Sequence, residues 1–181
     1  RRALGATVPS DTKKEVAMIR PERMAHVVIK VRDIERSRKF YTEVLGMQVM
    51  KDVPEIGAVF LANHARDHHE IALFQIGPNA ESPKPNQVGL LHIAFRLRSE
   101  EELKAAYEEL KAKDVPVNFT VNHGVTKSVY FRDPDGYELE VYCDNPIEEL
   151  AGMPNAYLGM NKLDFAPDER GLKDVIASLR Q

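Results

Sequence analysis

Apolar and polar positions along this chain follow one order of periodicities twice over. From Met24 the run Met24-Ala25-His26-Val27-Val28-Ile29-Lys30-Val31 is rich in β-branched residues and predicts a strand. Asp33 follows as a helix N-cap, and Ile34, Ser37, Tyr41, Val44 and Leu45 recur at helical spacing until Gly46, a natural stop. Strands are then predicted over residues 47–53, 58–62 and 69–75, which completes a βαβββ unit.

The unit begins again after a connection, residues 77–89, that holds three prolines and two glycines. Residues 90–99 fall on residues 24–33 at an offset of 66, with His92 on His26 and Ser99 on Asp33. Ser99 with Glu102 makes a capping box, and Leu103, Ala106, Tyr107 and Leu110 supply the inner stripe of a second helix. A strand is predicted over residues 115–121. A hairpin follows, with arms 125–132 and 137–142 around Asp133-Pro134-Asp135-Gly136. The reading is an α+β fold of two tandem βαβββ modules, residues 23–76 and 89–145, in one domain. Residues 1–22 read as an arm without chemistry. Residues 146–181 read as an extension in which Leu172, Val175, Ile176 and Leu179 suggest a short amphipathic helix from about Asp168, covering the sheet or a neighbouring subunit.

The hairpin brings polar side chains together. If its loop runs from Asp133 to Tyr137, Arg132 pairs with Glu138 and Tyr130 with Glu140, whereas a four-residue loop would separate the phenol from the carboxylate. The repeat adds an imidazole at the same place in each module, His26 and His92. Singly, an imidazole in an apolar strand is ordinarily a hydrogen-bonded core residue, and a Glu near a hairpin end is ordinarily solvated. Together they make a two-histidine, one-carboxylate set.

Bulk properties narrow the partners. A length of 181 residues with 43% hydrophobic content suits one domain with a substantial core. A net charge of −3, with both signs interspersed and no basic stripe, argues against a nucleic-acid partner. No run approaches the roughly 20 apolar residues of a membrane span, and one cysteine, Cys143, forms no internal disulfide, so a cytoplasmic location is the expectation.

The spacing from His123 through Val129-Tyr130 and Asp133-Pro134-Asp135-Gly136 to Glu140 resembles the signature of the type I extradiol ring-cleavage dioxygenases of the vicinal oxygen chelate superfamily. The turn followed by Glu is shared with glyoxalases and fosfomycin-modifying enzymes, while His123 and Tyr130 point to the dioxygenase branch. The resemblance covers about residues 24–144 and implies curved sheets around one metal centre. It implies Fe(II), with Mn(II) as the alternative, held by His26, His92 and Glu140, a set whose remaining positions accept substrate and dioxygen. It further implies a catechol substrate, His69 as the acid–base residue, and His123 and Tyr130 as hydrogen-bonding partners of substrate or oxygen. Strict alternation would instead turn His68 to the side of Ala72. Sliding Glu140 onto the first module lands on Ala72, where a glyoxalase-type site would carry a fourth protein ligand. That argues against a glyoxalase-like isomerase but not against a three-ligand thiol transferase of the fosfomycin-resistance kind, either one using Mn(II) or another divalent ion. A small protein of this architecture is expected to be a homo-oligomer.

Overall fold

A computed structural model describes residues 18–64, 68–82, 84, 86–151, 155–157 and 159–179. Most of the arm, residues 1–17, lies outside the described residues.

The first module runs β1 (Val27–Val31), α1 (Ile34–Glu43), β2 (Gln48–Val53), a 3₁₀ turn at Pro54–Ile56, β3 (Ala58–Ala62) and β4 (Ile71–Gln75). The second runs β5 (Ile93–Arg96), α2 (Glu100–Ala112), β6 (Val117–Asn122), β7 (Thr126–Arg132) and β8 (Glu138–Asp144). Each module forms its own four-stranded sheet, ordered β1-β4-β3-β2 and β5-β8-β7-β6, with the first pair parallel and the rest antiparallel. The chain is thus an α+β protein of two equivalent βαβββ modules, as its periodicities imply.

Caps set the helices where the polar residues are placed. Asp33 Oδ1 accepts the Arg36 N–H at 3.0 Å, and Gly46, at φ +66°, takes the left-handed turn after α1. Ser99 Oγ accepts the Glu102 N–H at 3.3 Å, while the Glu102 carboxylate reaches the Arg98 N–H, one residue earlier than a capping box would have it. The inner faces hold: Ser37 and Tyr41 of α1, and Leu103, Tyr107 and Leu110 of α2, are buried. Tyr41 and the three α2 residues share one core with Leu61, Leu73, Val129, Phe131 and Leu139 from the helix-facing sides of both sheets.

The two modules are latched by the turn at Asp133–Gly136. Asp133 Oδ1 accepts the backbone N–H groups of Asp135 and Tyr137, both at 2.9 Å, and fixes the loop. Asp135 then reaches out of the second module to the start of α1. It accepts the Arg32 backbone N–H at 3.2 Å, Arg32 Nη1 at 2.9 Å, Arg36 Nη2 at 2.6 Å and the Ser37 hydroxyl at 3.3 Å. Tyr41 closes the latch by donating to Asp133 Oδ2 at 3.2 Å.

The segment after β8 has a single helical turn, α3 (Ile147–Leu150), and a last helix, α4 (Leu172–Leu179). The sequence pattern suggests a start near Asp168, but the Arg170 carbonyl is taken by the Thr120 N–H at 2.9 Å and Gly171 bridges to the same strand, so the helix begins four residues later, at Leu172. Among the described residues no helix is long and apolar enough to cross a membrane.

Burial pushes the Asp135 carboxyl pKa up, but Arg36 and Arg32 more than offset it and hold the group below its ordinary range. A depressed carboxylate pKa stabilises the fold above the unfolded-state value of about 4, and the contribution fades as pH falls through the folded value. Asp135→Asn is therefore expected to lower unfolding stability by about 2 kcal/mol at neutral pH, discounted for the partly exposed arginines. Urea titrations at a series of pH values check this, with the gap from the parent narrowing below pH ~4.

Candidate metal and substrate site

Register decides which side chains meet. The five-residue loop pairs Arg132 with Glu138 and Tyr130 with Glu140, so phenol and carboxylate share one face of the second sheet. Ala94 stands beside Glu140 on the other flank, which leaves His92 just ahead of β5 and over the same face. His92 Nε2 and Glu140 Oε2 are 3.1 Å apart, with Glu140 buried and His92 partly open to solvent. Tyr130 meets His92 edge to face, ring centroids 5.6 Å apart, and its hydroxyl lies 3.3 Å from His123 Nε2.

Charge follows from this packing. Burial, and after it the Glu140 carboxylate, push the Tyr130 pKa well up, so the phenol stays protonated and donates. Burial also lowers the pKa of His123, helped by the His92 imidazole and opposed by Glu140, so at neutral pH the ring is uncharged.

The first module holds a second cluster. His26, just ahead of β1 as His92 is ahead of β5, has its ring centroid 4.3 Å from that of His69 and 5.6 Å from that of His68. His68 and His69 face each other through their Nδ1 atoms, and His69 meets Phe60 edge to face at 4.9 Å. Because β4 starts only at Ile71, alternation does not govern residues 68–70. His69 thereby reaches Phe60, the cross-strand partner of Ala72. Burial, then His26 and His68, lower the His69 pKa, which leaves a neutral imidazole able to accept a proton.

Ala72 is the structural counterpart of Glu140. Val28 and Ala94 stand at the repeat offset of 66, and they pair in register with Ala72 and Glu140 respectively. The first sheet thus offers a methyl group where the second offers a carboxylate.

The spacing of the His92–Glu140 pair fits a metal ion. Two donors each about 2.1 Å from one octahedral divalent ion and at right angles stand about 3.0 Å apart, close to the separation seen. Imidazole with carboxylate suits Fe(II) or Mn(II). His26 is not brought to this pair. Among the described residues no group of three or more His, Cys, Asp or Glu side chains within one chain is placed to hold a metal.

Three neighbours of the site were not picked out by sequence reasoning. Phe119 stacks on Tyr130 with centroids 4.1 Å apart and planes 10° from parallel, and Leu172 and Val175 of α4 pack on the cluster these two form with Val121. The helical spacing of Leu172 and Val175 was readable, but not the face on which they land.

Comparison with known proteins agrees with this architecture. Biphenyl-2,3-diol 1,2-dioxygenase 3 of Rhodococcus globerulus is 35% identical over 124 residues, 68% of this chain and 64% of that protein. Biphenyl-2,3-diol 1,2-dioxygenase 2 of the same organism is 32% identical over 149 residues, 81% of this chain and 77% of that one. This chain thus spans just under two thirds of the first of these relatives. Among solved structures, the trypanothione-dependent glyoxalase I of Leishmania major is 31% identical with a TM-score of 0.54, covering 72% of this chain and 93% of that one. Residues 23–141, which hold both modules as far as Val141, match the Glyoxalase/Bleomycin resistance protein/Dioxygenase superfamily, and the chain belongs to that superfamily.

Proposed function

We propose that the protein is an extradiol dioxygenase that uses Fe(II), with Mn(II) as the alternative, to open the ring of a catechol with dioxygen. The observation that carries this reading is the arrangement of His92, Glu140, Tyr130 and His123 on one sheet face: two donors at metal spacing, beside a protonated phenol and a neutral imidazole. The two biphenyl-diol dioxygenase relatives support it.

The metal, when bound, supplies a positive centre that holds diol and dioxygen side by side and stabilises developing negative charge. The chain's own residues do the rest. His92 and Glu140 are two of its ligands and His26 the third. His69, kept neutral by its surroundings, accepts the catechol proton and later returns it. Tyr130 donates to an oxygen of the substrate, and His123 hydrogen-bonds the oxygen side of the site. A glyoxalase-like isomerase or a thiol transferase is the second reading, favoured by the glyoxalase I likeness and opposed by the absence of a carboxylate at Ala72.

His26 joins the pair through a second copy of the chain. The first sheet leaves Val28, Phe74 and Ile76 exposed at 58%, 41% and 47%, and both β1 and β5 are edge strands. A two-fold axis that sets the first sheet of each copy against the second sheet of the other buries this apolar surface and completes two identical sites at once.

Anaerobic loading with Fe(II), followed by catechol and air, is expected to give oxygen uptake and a coloured ring-opened product. An isomerase or transferase would consume no gas. His69→Ala is expected to lower kcat by about 10²- to 10⁴-fold while bound metal, read by atomic absorption, stays at the parental level. For the shared site, His26→Ala and Glu140→Ala chains each bind little iron alone. Unfolded and refolded together, they are expected to recover about a quarter of the parental metal, since half of the dimers are mixed and each mixed dimer has one intact site of two. A site built within one chain recovers none.

A further inference from the structure

The extension after β8 is outside the part of the chain that matches the superfamily, and nothing in its composition suggests chemistry. Its placement does. We propose that residues 155–157 and 159–177 form the outer wall of the substrate pocket, holding His123 and Tyr130 in position and selecting the apolar group that a diol carries away from its hydroxyls. The selectivity half of this proposal rests on the dioxygenase reading; the positioning half does not.

Backbone bonds seat this segment along β6 and the β6–β7 turn. The Asn122 N–H donates to the Asn161 carbonyl at 2.7 Å, the Val125 N–H to the Ala156 carbonyl at 2.8 Å, and the Gly159 N–H to the His123 carbonyl at 2.9 Å. Two glycines make the approach this close. A Cβ at Gly159 would stand 2.5 Å from the His123 carbonyl carbon, and one at Gly124 would stand 2.3 Å from the Ala156 oxygen. Since both obstacles are backbone, neither can swing aside. The residue pinned by these contacts is His123, whose ring meets the Tyr130 hydroxyl. Such precision is not needed merely to cover a sheet edge.

From the seat the chain turns into α4, which lies on the same face as Glu140. Phe119 is the cross-strand partner of Tyr130, and Tyr130 that of Glu140, so these three residues cross the sheet in one row. Strands lie about 4.8 Å apart, which puts Phe119 about 10 Å across from the carboxylate. Leu172 and Val175, both partly buried, pack on the cluster that Phe119 and Tyr130 form with Val121 at this end of the sheet. A single diol ring at His92 and Glu140 reaches Tyr130 and stops. A second ring or an alkyl chain on it extends to Phe119 and meets the apolar side of α4. The substrate class that fits is therefore a catechol with an apolar substituent, and the residue that sets its size is Leu172.

Two measurements on the full-length protein test the two halves. In the first, kcat and KM are compared for catechol and for biphenyl-2,3-diol in the parent, Leu172→Ala and Leu172→Phe. The expected result is at least a tenfold change in the ratio of the two kcat/KM values, carried by KM for the larger diol. Parallel losses for both diols, or no change for either, would overturn the wall. In the second, the imidazole resonances of the metal-free protein are followed by NMR in Gly159→Ala and, as a control elsewhere, in Gly89→Ala, where a Cβ meets open space. The Gly159 variant is expected to shift the His123 signals and leave those of His64 in place, and the Gly89 variant to shift neither. Unmoved His123 signals in a folded Gly159 variant refute the positioning role. If the parent takes up no oxygen with either diol, the dioxygenase reading and the diol selectivity fall together, and the NMR result still decides whether the tail positions His123.

Discussion

One buried carboxylate, Asp135, ties the two halves of the molecule together. It belongs to a turn of the second module, yet nearly all its partners are at the entry to α1 in the first: the backbone and guanidinium of Arg32, the guanidinium of Arg36 and the hydroxyl of Ser37. The positive end of the helix dipole adds to the attraction. A carboxylate only 6% exposed is costly to bury, and four donors are what make it tolerable here. Asp133, two residues earlier in the turn, shapes the loop that delivers it.

That same loop governs the candidate site. Its length sets the register of β7 against β8, and register sets whether Tyr130 lies across from Glu140 or on the opposite face of the sheet. Fold and site thus share a determinant: the residues that latch the modules also decide which polar groups converge. A one-residue change in this turn would move the phenol away from the carboxylate and withdraw Asp135 from α1 together.

Much of this was legible in the sequence because it is local or repeated. The inner faces of α1 and α2, the capping residues, the Tyr130–Glu140 pairing and the equivalence of His26 with His92 follow from periods of two and 3.6 residues and from one offset. What the sequence could not show is how elements far apart in the chain are set against each other. The repeat puts each imidazole at the same place in its own module but is silent on how the modules face, and within one chain His26 keeps company with His68 and His69 rather than with Glu140. The role of Asp135 looked like turn chemistry, because its partners lie about a hundred residues earlier. The seat of the tail was hidden for another reason: it is made of backbone bonds from irregular segments, and these leave no hydropathy pattern.

The duplicated modules have been finished differently at their outer borders. In the first sheet β2 ends the array with every residue but Val53 exposed, and Lys51 and Asp52 put charges on that margin. In the second sheet the corresponding border, β6, has its Thr120 and Asn122 amides answered by Arg170 and Asn161. A chain shortened before these residues would bare two unsatisfied amide donors on a strand whose Phe119, Thr120 and Val121 are buried. Such a border templates the addition of foreign strands. The extension therefore also covers this margin against neighbouring copies, and solubility constrains how much of it can be lost.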